Sequence, residues 1–119
     1  MLPSSTDTLI IGAGPAGTAA AALLKKAGYN ALILEKQKFP RFCIGESLIP
    51  QCMDILEEAG LLAAVADRKY QYKYGAVFRA GDRSTAFEFS QQFTPGWAYT
   101  YQVPRDDFDK TLADTVEAM

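Results

Sequence analysis

Gly12-Ala13-Gly14-Pro15-Ala16-Gly17 and, further along, Glu35 have residue types and a spacing that could do chemistry. Gly12 permits a tight turn, Gly14 lets backbone N–H groups approach a diphosphate with no Cβ in the way, and Gly17 lets a helix lie close on the preceding strand. Pro15 suits the first helical turn, where its missing N–H has no partner to lose. A helix starting there carries unpaired N–H groups and the positive end of its dipole, which with Ala16 and Gly17 at its head favours an anion. Glu35, roughly 20 residues beyond the glycines, is placed to accept from ribose hydroxyls and would repel a 2′-phosphate.

These residues need a strand, a helix and a second strand to hold them. Thr8–Ile11 is a short β-branched and Leu run, and Ala31–Leu34 is a second apolar run closed by Glu35, with Lys36 beside it as a further candidate cofactor-binding residue. Between them Ala16, Ala19, Ala20, Leu23, Leu24 and Ala27 recur at helical spacing, so they predict the buried face, and Gly28 is placed to end the helix. The pattern is a βαβ unit that binds a dinucleotide; the alternative is a glycine-rich turn with a purely structural role. By itself it does not choose between FAD and NAD.

Lys36 to Glu46 has neither strand nor helix periodicity and reads as an extended loop, with Pro40 biasing Phe39 away from helix. Ser47 is placed to cap a helix from about Leu48 to Ala59, with Pro50 in its first turn, Gly60 as its stop, and Leu48, Cys52, Ile55, Leu56 and Ala59 as its buried stripe. A short helix over Leu61–Arg68 follows. Tyr70, Tyr72 and Tyr74 then alternate with Gln71 and Lys73, as in an edge strand. Ala76–Arg79 and Thr85–Phe89 flank a turn and predict a hairpin burying Phe78, Phe87 and Phe89. Trp97–Val103 alternates as a further strand with one aromatic side, and Phe108, Leu112, Thr115 and Val116 form the inner face of a last helix.

Composition excludes several function classes. The chain has 119 residues, 49% of them apolar, and a net charge of -2 with no basic run, so nothing points to nucleic acid. It has no histidine, so imidazole catalysis and His-ligated metal are both ruled out within it. Cys43 and Cys52 lack C-x-x-C spacing and are expected as unpaired thiols in a reducing, cytoplasmic compartment. No apolar run is long enough for a membrane span. Only a few core parallel strands are found and the last helical pattern reaches Met119, so the chain is expected to be the N-terminal piece of a larger enzyme.

The combination of D-T-L-I-I-G-A-G-P-A-G-T, Glu35 and F-P-R-F-C-I-G-E-S-L-I-P (Phe39 to Pro50) resembles the flavin-dependent halogenase branch of the FAD-dependent monooxygenase and geranylgeranyl-reductase superfamily. The resemblance runs from Asp7 to about Leu112 and implies an α/β fold, a Rossmann-like FAD-binding βαβ unit with the start of an antiparallel substrate-domain sheet. It implies FAD as cofactor and a flavin loop and helices over 37–72, a β excursion over 73–103 and a helix over 104–119. In that loop Gly45, Glu46 and Ser47 would reach the cofactor, and Arg41 would offer donors to a phosphate or ring carbonyl. The alternative is a loop with Arg41 solvated and Glu46 merely favouring the helix dipole.

Lys73, in Y-K-Y-G-A-V-F, matches the stretch near which the halogenases carry their functional lysine. The resemblance implies oxidation of halide through a flavin C4a-hydroperoxide, with the lysine amine holding or capturing active halogen beside an organic substrate. Halide, dioxygen and a flavin reductase or NAD(P)H are the implied partners. The alternative for Lys73 is a solvated strand lysine. V-P-R-D-D-F-D resembles a stretch whose arginine, here Arg105, helps hold the nucleotide of FAD; a local ion pair with the neighbouring aspartates is the other reading. An FAD-dependent reductase or dehydrogenase, and a nucleotide-binding domain without catalysis, stay open beside halogenation or monooxygenation.

Overall fold

The computed structural model describes residues 3–119. The elements are β1 (Thr8–Ile11), α1 (Pro15–Lys26), β2 (Ala31–Leu34), α2 (Gln51–Glu58), α3 (Leu62–Asp67), β3 (Gln71–Lys73), β4 (Gly75–Ala80), β5 (Arg83–Glu88), β6 (Thr100–Gln102) and α4 (Arg105–Glu117). β1 and β2 pair in parallel, Thr8 opposite Ala31 through Ile11 opposite Leu34, with α1 as the crossover. This is the expected βαβ unit. Parallel strands cannot be joined by a tight turn, so the intervening helix follows from the pairing.

α1 buries Thr18, Ala19, Ala21 and Ala22, whereas Ala16, Ala20 and Ala27 are exposed. The buried face is therefore displaced from the expected one. α1 packs on β1 and β2 and also on α2 and α4, so two of its faces are covered, and a run of alanines carries no size contrast to tell them apart.

Residues from several elements build one core. Met53, Leu56 and Ala59 of the α2 segment meet Leu61, Val65, Tyr70, Tyr101, Val103, Phe108, Leu112 and Ala22. Fully burying a side chain such as Leu112 contributes about 1.5–3 kcal/mol, and this cluster is what fixes α4 against α1 and α3.

The helix after the loop begins three residues later than Ser47 would place it. Glu46 to Leu48 is drawn into an extended pairing with β6: the Val103 N–H donates to the Glu46 carbonyl at 2.8 Å, the Leu48 N–H donates to the Tyr101 carbonyl at 3.2 Å, and Ser47 bridges Gln102. Pro50 occupies the N-cap position of α2, with no side-chain cap. The leading N–H groups of α2 are met by backbone instead of a Ser side chain: the Cys52 N–H donates to the Ile49 carbonyl and the Met53 N–H to the Pro50 carbonyl, both at 2.9 Å. Its buried stripe runs through Met53, Leu56 and Ala59, while Ile55 is exposed.

β6 also pairs antiparallel with β3, placing Lys73 opposite Thr100. The predicted strand over Trp97–Val103 shortens to Thr100–Gln102, where β3 supplies a partner. β4 and β5 form the expected hairpin. Its aromatic face is not buried as expected: Phe78 is 59% and Phe87 48% exposed, and only Phe89 is covered. Among the described residues the hairpin pairs only with itself, and Phe78 and Phe87 stack on each other at 6.0 Å.

Candidate FAD site

The turn after β1 is built as the glycine spacing requires. Gly12 has φ +106°, a conformation that a side chain disfavours. At Gly17 an added Cβ would stand 2.0 Å from the Gly12 carbonyl oxygen and 3.3 Å from Ile10 Cγ2, so only glycine lets α1 approach β1 this closely. α1 starts with extended Gly14 at its N-cap and Pro15 behind it, with no side-chain cap and no acidic residue in its first turn. Its leading N–H groups, at Ala16 and Gly17, therefore have no intrahelical carbonyl to meet, and the dipole end is unopposed.

Glu35 stands at the end of β2 against this turn. Its Oε2 accepts from the Ala13 N–H at 2.9 Å and its Oε1 from the Gln37 N–H at 3.0 Å. These backbone donors, Ala13 foremost, and to a lesser degree Arg41 at 3.6 Å, hold its carboxyl below the usual range. A carboxylate has about four lone-pair positions, so the bonds that pin Glu35 leave acceptor capacity for a ribose. Lys36 follows it, exposed.

Arg41 folds back onto the turn. Its Nη1 donates to Asp109 Oδ2 at 3.0 Å, its Nη2 lies 3.6 Å from Glu35, and its guanidinium sits over the Phe39 ring at 4.9 Å. A methyl group on Gly14 would meet Arg41 Nη2 at 3.6 Å, which places the guanidinium beside the glycines. Among the described residues the buried Arg41 Nε has no partner. Arg41 thus carries one unpartnered buried donor, and its Nη2 stands beside Gly14 at the uncapped head of α1, where positive charge fits an anionic ligand.

Arg105 forms the ion pair that was one of its two expected readings, but with a buried partner. Its Nε donates to Asp109 Oδ1 at 2.7 Å and its Nη2 to Asp109 Oδ2 at 3.1 Å, which raises its pKa further. Its Nη1 donates to the carbonyls of Ile44 and Gly45 at 3.0 and 3.1 Å. Gly45 has φ +105°, and an added Cβ would come within 3.0 Å of Arg105 Nη1. Arg105 thus clasps the loop from the head of α4. Asp109 was not singled out from sequence as a site residue; its position four residues after Arg105 is the signal that could have found it.

Lys73 is not a freely solvated strand lysine. Its Nζ donates to Ser47 Oγ and to the Leu48 carbonyl, the latter at 3.2 Å, and lies 5.4 Å from the centre of the Phe89 ring. β3, β6 and the Glu46–Leu48 segment together bring the amine to the loop. Ser47, exposed, is thereby joined to Lys73, and Glu46 has its carbonyl on β6 and its side chain exposed. The turn residues Gly12 to Gly17, Glu35 and Arg41 converge on one region, and Arg105, Gly45, Ser47 and Lys73 extend it along the loop. Cys43 and Cys52 are free thiols.

The sequence profile of the family described as "FAD binding domain" matches residues 5–119. This chain belongs to that family. FAD is its cofactor, and the uncapped α1 terminus, the glycine clearance and the unpartnered Arg41 donor fit the group. The chain is 53% identical over 112 residues to flavin-dependent halogenase armH3 of Armillaria mellea, covering 93% of this chain and 22% of that protein. It is 38% identical over 111 residues to tryptophan 2-halogenase of Chondromyces crocatus, covering 93% and 21%. The crystal structure of a flavoprotein/dehydrogenase from Cytophaga hutchinsonii superimposes with a TM-score of 0.89 at 57% identity, covering 95% of this chain and 28% of that one. The chain therefore spans about a fifth of the length of the curated relatives. The fold class and the preference for FAD over NAD are as the resemblance implied. Among the described residues no helix is long and apolar enough to cross a membrane.

Proposed function

We propose that this FAD-binding domain serves a halogenase-like enzyme that uses dioxygen and halide on a small organic substrate, with electrons from a flavin reductase or NAD(P)H. The carrying observation is the link between Lys73 and the loop: the Lys73 amine is held by Ser47 Oγ and the Leu48 carbonyl, a few residues from Gly45 and Glu46. Bound FAD supplies two-electron redox chemistry and, when reduced, activation of dioxygen. Gly14, Pro15, Ala16 and Gly17 give the diphosphate a backbone cradle, Glu35 orients the ribose, and Arg41 adds positive charge beside them. Arg105 fixes the loop on which Gly45, Glu46 and Ser47 face the cofactor. Lys73, fixed by two acceptors, presents a primary amine that can donate a hydrogen bond to a halogen-bearing oxygen or act as a nucleophile toward active halogen.

The chain is proposed to be the N-terminal part of the enzyme, over the boundaries given by the resemblance, and inactive alone. The share of its relatives that it spans supports this, as does the open face of β1–β2, where Ile11 is 86% exposed. Cytoplasmic residence belongs to the same reading and is supported by the two free thiols. A dehydrogenase is the second reading, favoured by the name of the 57% identical structure. The deciding experiment supplies the native full-length polypeptide with FAD, a reductant, dioxygen, chloride or bromide, and a small electron-rich organic acceptor. Halogenated product by mass spectrometry, lost in Lys73→Met with FAD still bound, is the expected result. Substrate oxidation without halogen uptake in every variant would support the dehydrogenase instead.

A further inference from the structure

Asp109 is fully buried, and among the described residues every hydrogen bond its carboxylate makes goes to Arg41 or Arg105. It lies on α4, far in sequence from the glycine turn, yet it joins the arginine beside Gly14 to the arginine that clasps Ile44 and Gly45. Without an anion between them, two guanidinium groups at this spacing would repel, and each is only slightly exposed, at 11% and 13%. The carboxylate sits opposite Glu35 across Arg41, so that Arg41 is held from two sides with Nη2 toward the turn. We propose that Asp109 is a positioning residue for the FAD site, acting through Arg41 and Arg105 to fix the guanidinium at the glycine turn and the loop under Gly45. The proposal rests on the FAD site described above.

Asp109→Asn keeps the shape and removes the charge. It leaves one acceptor oxygen for two guanidinium groups and turns an NH2 toward one of them. The test is a four-cornered cycle of FAD dissociation constants, by flavin fluorescence, on the full-length polypeptide: wild type, D109N, R41Q and the double variant. D109N is expected to weaken FAD by about tenfold or more, as for loss of a charged hydrogen bond, and to weaken it by a clearly smaller factor once Arg41 is already Gln, the remaining loss passing through Arg105. A general structural role would instead give equal losses in both backgrounds, and that result overturns the proposal. FAD binding by D109N equal to wild type overturns it too, while leaving the site reading intact; wild type that fails to bind FAD sinks the site reading itself. Should D109N not fold, R41Q and R105Q, whose side chains share Asp109 as partner, are combined instead. Losses smaller than additive support the coupling, and additive losses contradict it.

Discussion

Replacing Gly17 by Ala separates the two jobs assigned to the glycine turn. The new methyl carbon would lie 2.0 Å from the Gly12 carbonyl oxygen and 3.2 Å from its carbon. Close C–H···O contacts settle at about 3.3 Å, so α1 must retreat from β1 by roughly 1 Å, and overpacking of this kind costs about 1–3 kcal/mol of stability. The same retreat carries the Ala16 and Gly17 N–H groups away from the diphosphate. A hydrogen bond of about 2.9 Å stretched by that amount is no longer one, and losing one to a charged group costs about 1.5–3 kcal/mol, or about 10- to 100-fold in affinity. Gly14→Ala is the control. Its methyl would meet only Arg41 Nη2 at 3.6 Å, an ordinary contact, so stability should hold while FAD affinity falls. Thermal melts and FAD titrations of both full-length variants decide the matter. Wild-type melting and wild-type affinity in Gly17→Ala would refute the reasoning, as would a Gly14→Ala that unfolds.

Other outcomes follow from the site and the core. Lys73→Met should retain FAD and consume dioxygen but incorporate no halogen, measured as the ratio of halogenated product to oxygen used. Burial, and then the hydrogen bond to Asp107, push the Tyr70 hydroxyl up to about 12 from 10.0. The folded state therefore holds the proton that the unfolded state releases, so stability is full below pH 10 and declines as pH rises from 10 to 12. Tyr70→Phe should lessen that decline in denaturant titrations, leaving the share of Tyr101, which burial also pushes up to about 12. Leu112→Ala removes a side chain with no exposure and should cost about 2–5 kcal/mol in the same assay, with Glu117→Ala, exposed at the end of α4, within about 0.5 kcal/mol of wild type.

The βαβ unit was legible because each glycine in it answers a separate steric demand, and Gly12 and Gly17 meet those demands as spaced. The loop was legible only as a loop. Its register was set by a long-range pairing, Glu46 to Leu48 on β6, and no local signal distinguishes a Ser that caps a helix from a Ser that lies in a bridge. Ser47 has the right type and position for the first role and takes the second because Tyr101 and Val103 offer backbone partners. The alanine run of α1 concealed which face was inside, since its periodicity is the same whichever side is covered. Phe78 and Phe87 were expected inside on the strength of alternation alone, but alternation assigns faces without supplying the layer that would cover them. Asp109 was passed over for a related reason: it reads as one of several first-turn acids, and only the fold shows that Arg41 reaches it across 68 residues.

FAD binding as proposed requires the diphosphate to lie across the head of α1. Crystals of the full-length polypeptide grown with FAD test this directly. Electron density for the diphosphate within hydrogen-bonding distance of the Ala16 and Gly17 N–H groups, with the ribose at Glu35 and the Arg41 guanidinium alongside, is the predicted result. FAD bound with its diphosphate elsewhere, or no FAD at saturating concentration, would contradict it.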